Sequence, residues 1–264
     1  MYEFEFDGFT KEQCDAYLER IGAKFDGNPT KENLDYLLYQ HHISVPFEDF
    51  AVFEHWGTVD LSAEALFDKI VVKRRGGFCF EMNGALLLLL KGLGYDVAGC
   101  MARIGNPVFG VLRRLDHRGI LVFLDGETFY CDAGMGGPQP GWAVNLNGEK
   151  ETRYGKTYWI DDAEKGWKEL KHEFGDGGTN SVIFAPIAML PFDFIANCAD
   201  LVARGNSVFH ENRMVNIRTV DGYVDLTNNT LKVNKNGETT IREITDEELP
   251  KVLLEYFGID NYKK

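Results

Sequence analysis

Hydrophobic and polar positions change their period along the chain. Up to about residue 92 the apolar residues recur at three- and four-residue spacing, the period of one helix face. Thr10 with Gln13 has the form of a capping box ahead of Tyr17, Leu18 and Ile21. Thr30 precedes Leu34, Leu37, Leu38 and His41, which make one stripe of a second helix. Ser62 opens a segment that turns Leu66, Phe67 and Ile70 inward. A fourth helix is expected from about Cys79 to Lys91, stopped by Gly92-Leu93-Gly94. From Asp96 to about Leu190 the pattern becomes short β-type runs broken by Gly and Asn. Asp125-Gly126, between Gly119–Leu124 and Glu127–Asp132, is the clearest hairpin turn. After Asp200, hairpin signs recur at Asp221-Gly222 and Asn236-Gly237. A Thr245/Glu248 capping box then leads a last helix toward Phe257-Gly258, and Pro250 leaves its start open. With no internal repeat or low-complexity linker, the helical, β and mixed regions are expected to pack as one body.

Composition narrows the function classes. The chain has 264 residues, a net charge of −13 and 44% hydrophobic residues, enough for a real core. Such an acidic chain lacks the dense cationic surface that nucleic acid or an anionic bilayer requires. The longest greasy run, from Gly84 to Leu90, stops at Lys91 and is too short to span a membrane. The acidic start shows no signal-peptide core, so a cytoplasmic location is expected. Five cysteines at 14, 79, 100, 131 and 198 are odd in number, widely spaced and free of any C-x-x-C. That suits free thiols in a reducing compartment, not disulfides or a zinc site, and no metal is expected.

The chemically loaded stretch is Lys73-Arg74-Arg75-Gly76-Gly77-Phe78-Cys79-Phe80-Glu81-Met82-Asn83. Two glycines allow a sharp turn, and Cys79 follows where a helix begins. Unpaired N–H groups, the helix dipole and three preceding cations would all favour a thiolate. A lone cysteine is usually only a small buried hydrophobe, and Cys14, Cys100, Cys131 and Cys198 are left in that role. A thiolate nucleophile wants a histidine held by a carboxylate. His41 and His42 sit on a helical stripe and read as packing or surface residues, while His55, His172 and His210 lie in no motif. His117 begins the first strand of the Asp125-Gly126 hairpin. A two-residue turn pairs Leu124 with Glu127 and brings Asp132 opposite Gly119. His117 and Asp132 then share one face as diagonal neighbours, and Asp116 points to the other. Gly119 leaves room beside them. A bulge would undo this register, and a solvated surface pair is the competing interpretation.

Arg75-Gly76-Gly77-Phe78-Cys79-Phe80-Glu81-Met82-Asn83 resembles the R-G-G-x-C-x-E-x-N motif of the arylamine N-acetyltransferases. Val45-Pro46-Phe47-Glu48-Asp49-Phe50 is similar to that family's P-F-E-N-L segment. His117 with Ile120-Leu121-Val122, and Tyr130-Cys131-Asp132-Ala133-Gly134, resemble its His strand and its D-A-G strand. The likeness runs from Tyr17 to Ile259 and is of the bacterial type. It implies an α+β fold: a helical N-terminal bundle (1–92) carrying the nucleophile, a central β-barrel (93–195) carrying His and Asp, and a C-terminal α/β lid (196–264). The Cys-His-Asp arrangement is the one also seen in papain and transglutaminases. The resemblance further implies a catalytic triad of Cys79, His117 and Asp132. The implied reaction is ping-pong acetyl transfer from acetyl-CoA to an aromatic amine, hydrazine or N-hydroxyarylamine. Phe47, Ile104 and Met135 match its amine pocket, Gly134, Ser207 and Phe209 its CoA cleft, and Glu48 with Arg75 a bracing charge pair. Asn83 matches a residue that fixes the backbone near the nucleophile.

Three positions depart from the family pattern. Met135 replaces a usual Phe, Asp49 a usual Asn, and Arg204-Gly205-Asn206 stands where His-Pro often precedes Ser-x-Phe. Rival enzymes with the same triad are an amide synthase or a transglutaminase- or papain-like cysteine enzyme. A catalytically silent binding module is the other rival. The expected partners are a small arylamine or hydrazine and CoA, with no nucleic acid and no membrane. Lys73, Arg74, Arg75, Arg113, Arg114 and Arg118 cluster in sequence around the nucleophile and the base, and local cations of this kind are expected to hold the anionic CoA. The oligomeric state is not legible in the sequence.

Overall fold

The computed structural model describes residues 5–106, 111–112, 114–136, 139–173 and 181–263. Helix α1 (Lys11–Ile21) starts on the Thr10/Gln13 capping box and ends at Gly22 in the left-handed region. Thr30 caps α2 (Lys31–Ser44), and Leu34, Leu37, Leu38 and His41 are all buried. A short strand, β1 (Phe47–Glu48), and one turn of helix, α3 (Phe50–Phe53), follow. The segment opened by Ser62 is not one helix. Helix α4 (Ala63–Phe67) widens into a π-type stretch over Asp68–Val72. Helix α5 (Cys79–Gly92) is buried along nearly its whole length, which is why its sequence is almost continuously apolar.

Nine strands, all antiparallel, form the second layer among the described residues. They are β2 (Asp96–Asn106), β3 (Val111–Leu112), β4 (His117–Leu124), β5 (Glu127–Cys131), β6 (Val144–Asn145), β7 (Glu151–Arg153), β8 (Lys156–Asp162), β9 (Lys168–Glu173) and β10 (Ser181–Phe184). Their spatial order is β6-β5-β4-β2-β10-β9-β8-β7, with β3 on β2. Strand β6 comes back beside β8, so the sheet curls into a nearly closed barrel. Buried on both faces up to Val122, β4 reads as an unbroken apolar run from Gly119 to Leu124 after His117 and Arg118. Ile120 and Val122 pack with α5, whereas Leu121 joins Tyr130, Trp142 and Tyr158 inside the barrel.

The third region begins with α6 (Ile195–Ala203) and one turn, α7 (Val208–Glu211). A meander of β11 (Met214–Thr219), β12 (Gly222–Thr227), β13 (Thr230–Lys235) and β14 (Glu238–Glu243) follows, covered by α8 (Leu249–Phe257). Asn236-Gly237 makes its turn with both residues at positive φ. Near Asp221-Gly222 the turn falls one residue earlier, on Val220-Asp221, because Thr219 pairs with Gly222. The Thr245/Glu248 bonds form as expected, and the helix proper starts just after them with Pro250 in its first turn. Strand β1 pairs with β11, Phe47 opposite Asn216, so the N-terminal region supplies an edge to the C-terminal sheet.

Candidate active site

Three elements converge at the start of α5. Gly76 and Gly77 bring the chain there because nothing larger fits: a Cβ on Gly76 would meet the Pro46 carbonyl oxygen, and one on Gly77 the Glu81 side chain. Cys79 is the first helical residue, and the Phe78 N–H is held by Glu81 Oε2 at 3.2 Å. The hairpin supplies the other two groups. Leu124 pairs with Glu127 and Ile120 with Cys131, and Asp125 and Gly126 both take positive φ as a tight two-residue turn requires. That register leaves His117 and Asp132 on one face, with His117 Nε2 2.5 Å from Asp132 Oδ2. The pair is buried, not solvated.

Asp132 is held as a carboxylate. Tyr130 Oη donates to Oδ2 at 2.8 Å, and Asn83 Nδ2 and the Gly134 N–H donate to Oδ1 at 2.9 Å each. Burial alone would raise its pKa, but His117 and these donors leave it below the usual carboxylate range. His117 shows the mirror case. Burial opposes its charge, yet Asp132, and then the neighbouring Cys79 thiol, hold its pKa well above that of a free imidazole. With Nε2 on Asp132, Nδ1 is the nitrogen left for the sulfur. The thiol also lies 3.5 Å from the Asp116 carbonyl oxygen, while the Asp116 carboxylate points away to Arg204.

Gly119 does leave room, and a side chain of the protein fills it. A Cβ there would sit 2.4 Å from the Tyr130 ring. Tyr130 is missing from the expected site, although its place two residues before Asp132 puts both on one strand face. Asn83 ties three segments together: its Nδ2 reaches the Arg118 carbonyl at 2.5 Å as well as Asp132, and its Oδ1 accepts the Ala133 N–H at 2.8 Å. His42 packs behind Asp132, with its Nδ1 3.0 Å from Gln139 Nε2. Burial and then Arg218 push its pKa down to about 3, against the pull of Asp132. Nothing in the spacing of two adjacent helical histidines signals that placement.

Phe47 and Phe209 share the buried cluster of Cys79, their rings 6.1 Å apart. Ile104 and Met135 each pack, partly buried, against the barrel-interior cluster. Gly134 packs on the nucleophile's own turn, where a Cβ would be 2.7 Å from Cys79 Cα. Ser207 precedes α7, its Oγ 2.7 Å from His210 Nδ1. Glu48 and Arg75 form a buried pair at 2.6 Å, and Lys69 adds a bridge to Glu81 at 2.7 Å.

Several of the cations that cluster in sequence around the nucleophile and the base are engaged by the protein itself. Lys73 pairs with Asp68, Arg75 is spent on Glu48, and Arg118 is buried over the Phe194 ring. Arg113 lies outside the described residues. Charge sign along the sequence did not reveal that these side chains leave the strand and loop in different directions. Among the described residues no cluster of acidic, His and Cys side chains could hold a metal ion, and no helix is long and apolar enough to cross a membrane.

Fold and site together define a class: proteins with a thiol beside a bonded imidazole and carboxylate, of the kind that carries acyl groups. The family model described as N-acetyltransferase matches residues 30–264. The liver isozyme of arylamine N-acetyltransferase from Gallus gallus is 29% identical over 92% of this chain and 94% of its own length. The crystal structure of an arylamine N-acetyltransferase from Bacillus cereus, described as having a Cys-His-Glu catalytic triad, superposes with a TM-score of 0.88. That likeness is at 25% identity and covers 96% of this chain and all of that one. The enzyme from M. tuberculosis superposes at 0.86, with 27% identity over 93% of each chain. The chain belongs to the arylamine N-acetyltransferase family and is an acyltransferase. Its histidine meets an aspartate, Asp132, where the Bacillus cereus triad is described with a glutamate.

Proposed function

We propose that the chain moves an acetyl group from acetyl-CoA to aromatic amines, hydrazines or N-hydroxyarylamines through a thioester on Cys79. The observation that carries this is the buried His117–Asp132 pair, 2.5 Å apart, beside Cys79 at the start of a buried helix in a chain of this family. The Cys79 thiol gives its proton to His117, whose imidazolium is stabilised by Asp132. The thiolate attacks the thioester carbonyl of acetyl-CoA, the bond to CoA breaks, and CoA leaves as the thiol with a proton from His117. The amine nitrogen then attacks acetyl-Cys79, His117 takes the amine proton, and the cysteine is released. One thioester replaces another, so the first half is close to balanced in energy. An aromatic amine is largely unprotonated at neutral pH, so its lone pair is available. The Cys79 N–H, in the first helical turn, is a donor for the tetrahedral oxyanion.

The Phe47–Phe209 aromatic pair in the cluster of Cys79, and the partly buried Ile104 and Met135 on the barrel interior, support an apolar amine side lined by Phe47, Ile104 and Met135. Gly134, Ser207 and Phe209 are assigned to the CoA side. The helical bundle would span 1–92, the barrel 93–195 and the lid 196–264. Five buried free thiols suit the cytoplasm.

Intact-protein mass spectrometry after addition of acetyl-CoA tests the reading. One acetyl adduct is expected, absent in Cys79→Ala and discharged by an arylamine with release of the N-acetyl product. No adduct on folded protein overturns it in favour of another acyl donor, as an amide synthase would use. Peptide-bond cleavage or isopeptide formation in place of amine acetylation favours the papain- or transglutaminase-like alternative.

A further inference from the structure

We propose that Arg204 is a positioning residue for acetyl transfer, acting through Asp116 on the Cys79–His117 pair; this rests on the reading of Cys79 as nucleophile. The ladder between β2 and β4 ends at the pair Ala102–His117. Residues 115 and 116 therefore enter His117 without sheet support, yet the Asp116 carbonyl is an acceptor for the Cys79 thiol at 3.5 Å. The segment 194–204 supplies the missing support. Asn197 Nδ2 donates to the Leu115 carbonyl at 3.0 Å, and Arg204 Nη2 to the Asp116 carboxylate at 2.9 Å. One residue beyond His117, the Arg118 guanidinium lies over the Phe194 ring at 4.2 Å. Three of the four residues nearest His117 in sequence are gripped by one helical segment.

The Arg204–Asp116 pair is the charged member of this grip, and it is largely shielded, with side chains 12% and 15% exposed. A second bond, to Asp200 at 3.2 Å one helical turn back, fixes the guanidinium plane. The pair therefore escapes most of the screening and entropy loss that make surface pairs weak. It also neutralises the carboxylate of the residue whose carbonyl touches the thiol. The titratable and charged groups facing the sulfur are His117 with Asp132 on the hairpin, Arg118 on β4 and Cys198 on α6; the Asp116–Arg204–Asp200 chain lies behind the Asp116 carbonyl, with Arg114 3.8 Å from Asp200. On α5 itself Glu81 is bound to Lys69. Loss of Arg204 leaves the Asp116 charge uncancelled near the thiolate, and loss of the Asp116 charge leaves Arg204 opposite only the half-exposed Asp200. The two changes thus act on thiolate formation with opposite sign, which a purely structural brace would not do.

The test measures iodoacetamide alkylation of Cys79 from pH 5 to 9, single-turnover acetylation by acetyl-CoA, and thermal unfolding. The full-length wild type is compared with Arg204→Gln, Arg204→Lys, Asp116→Asn and the Gln/Asn double variant. Arg204→Gln is expected to slow acetylation about tenfold, in the range for residues sharing one network, and to move the alkylation midpoint up. Asp116→Asn should move that midpoint down, and the double variant should be no slower than Arg204→Gln. Arg204→Lys, which keeps the charge and loses the fork, should fall between and keeps the test open if the Gln variant folds poorly. Midpoints that do not move, rate losses that multiply, or a loss confined to KM for acetyl-CoA would each overturn the proposal. Wild-type Cys79 that neither alkylates faster than the other cysteines nor takes an acetyl group would instead overturn the reading beneath it.

Discussion

Asp132→Asn is the sharpest probe of the site because the carboxylate does two different things with its two oxygens. Oδ1 accepts from Asn83 and Gly134, and Oδ2 meets His117 Nε2 at 2.5 Å and Tyr130 Oη at 2.8 Å. In the asparagine variant the carbonyl oxygen stays with Asn83 and Gly134, since both are donors. The amide NH2 then replaces Oδ2 and faces His117. A donor there forces Nε2 to be the acceptor and moves the ring proton to Nδ1, the nitrogen needed to take the thiol proton. The imidazolium also loses its buried counter-charge, which costs about 3–5 kcal/mol when one partner of a buried pair is removed. At about 1.4 kcal/mol per factor of ten, the acetylation rate of Cys79 should fall by about two to four orders of magnitude. Stopped single-turnover reactions with acetyl-CoA, read by intact mass, measure that rate without the amine. Asp116→Asn is the control, because its carboxylate points to Arg204 and not to the ring. A loss under about tenfold for Asp132→Asn, or an equal loss for the two variants, would refute the assignment of Asp132.

Two further outcomes follow from single contacts. Burial, then the neighbouring Glu48, raises the Asp49 pKa to about 8, and its Oδ2 has no hydrogen-bond partner among the described residues. The raised value means the folded state binds a proton that the unfolded chain, near pH 4, has released. Stability should therefore fall as pH rises from about 4 to 8, and Asp49→Asn should gain on wild type across that window in thermal unfolding scans. A difference that stays flat with pH would contradict the buried protonated form. Gly134→Ala places a Cβ 2.7 Å from Cys79 Cα, a contact with rigid helix backbone. It should lower the unfolding temperature and slow Cys79 acetylation together, whereas a variant with wild-type kinetics would show that the turn can shift without consequence.

Local signals in this sequence are strong where the chain alone sets the geometry. The caps at Thr10, Thr30 and Ser62 work through bonds to residues three positions on, so they are legible without any tertiary contact. The Asp125-Gly126 turn is legible for the same reason: two residues at positive φ permit one register, and that register brings His117 to Asp132. Cys79 at a helix start is likewise written in the Gly-Gly turn before it. Long-range neighbours are not. The apolar Leu86–Leu90 run does not say which face meets the barrel, and a string of cations does not say that Arg75 turns to Glu48 while Arg118 lies over Phe194.

The elements, and the pairing of residues joined by short turns, are thus properties of the chain's local chemistry, because capping and two-residue hairpins depend on bonds within a few residues. What surrounds the paired groups is a property of the folded whole. Tyr130 and Asn83 fix the Asp132 carboxylate, His42 packs behind it, and β1 leaves the helical bundle to pair with β11. Those contacts depend on how curled sheet and helices close on one another, and the burial that sets the charge states of His117, Asp132 and Asp49 exists only after that closure.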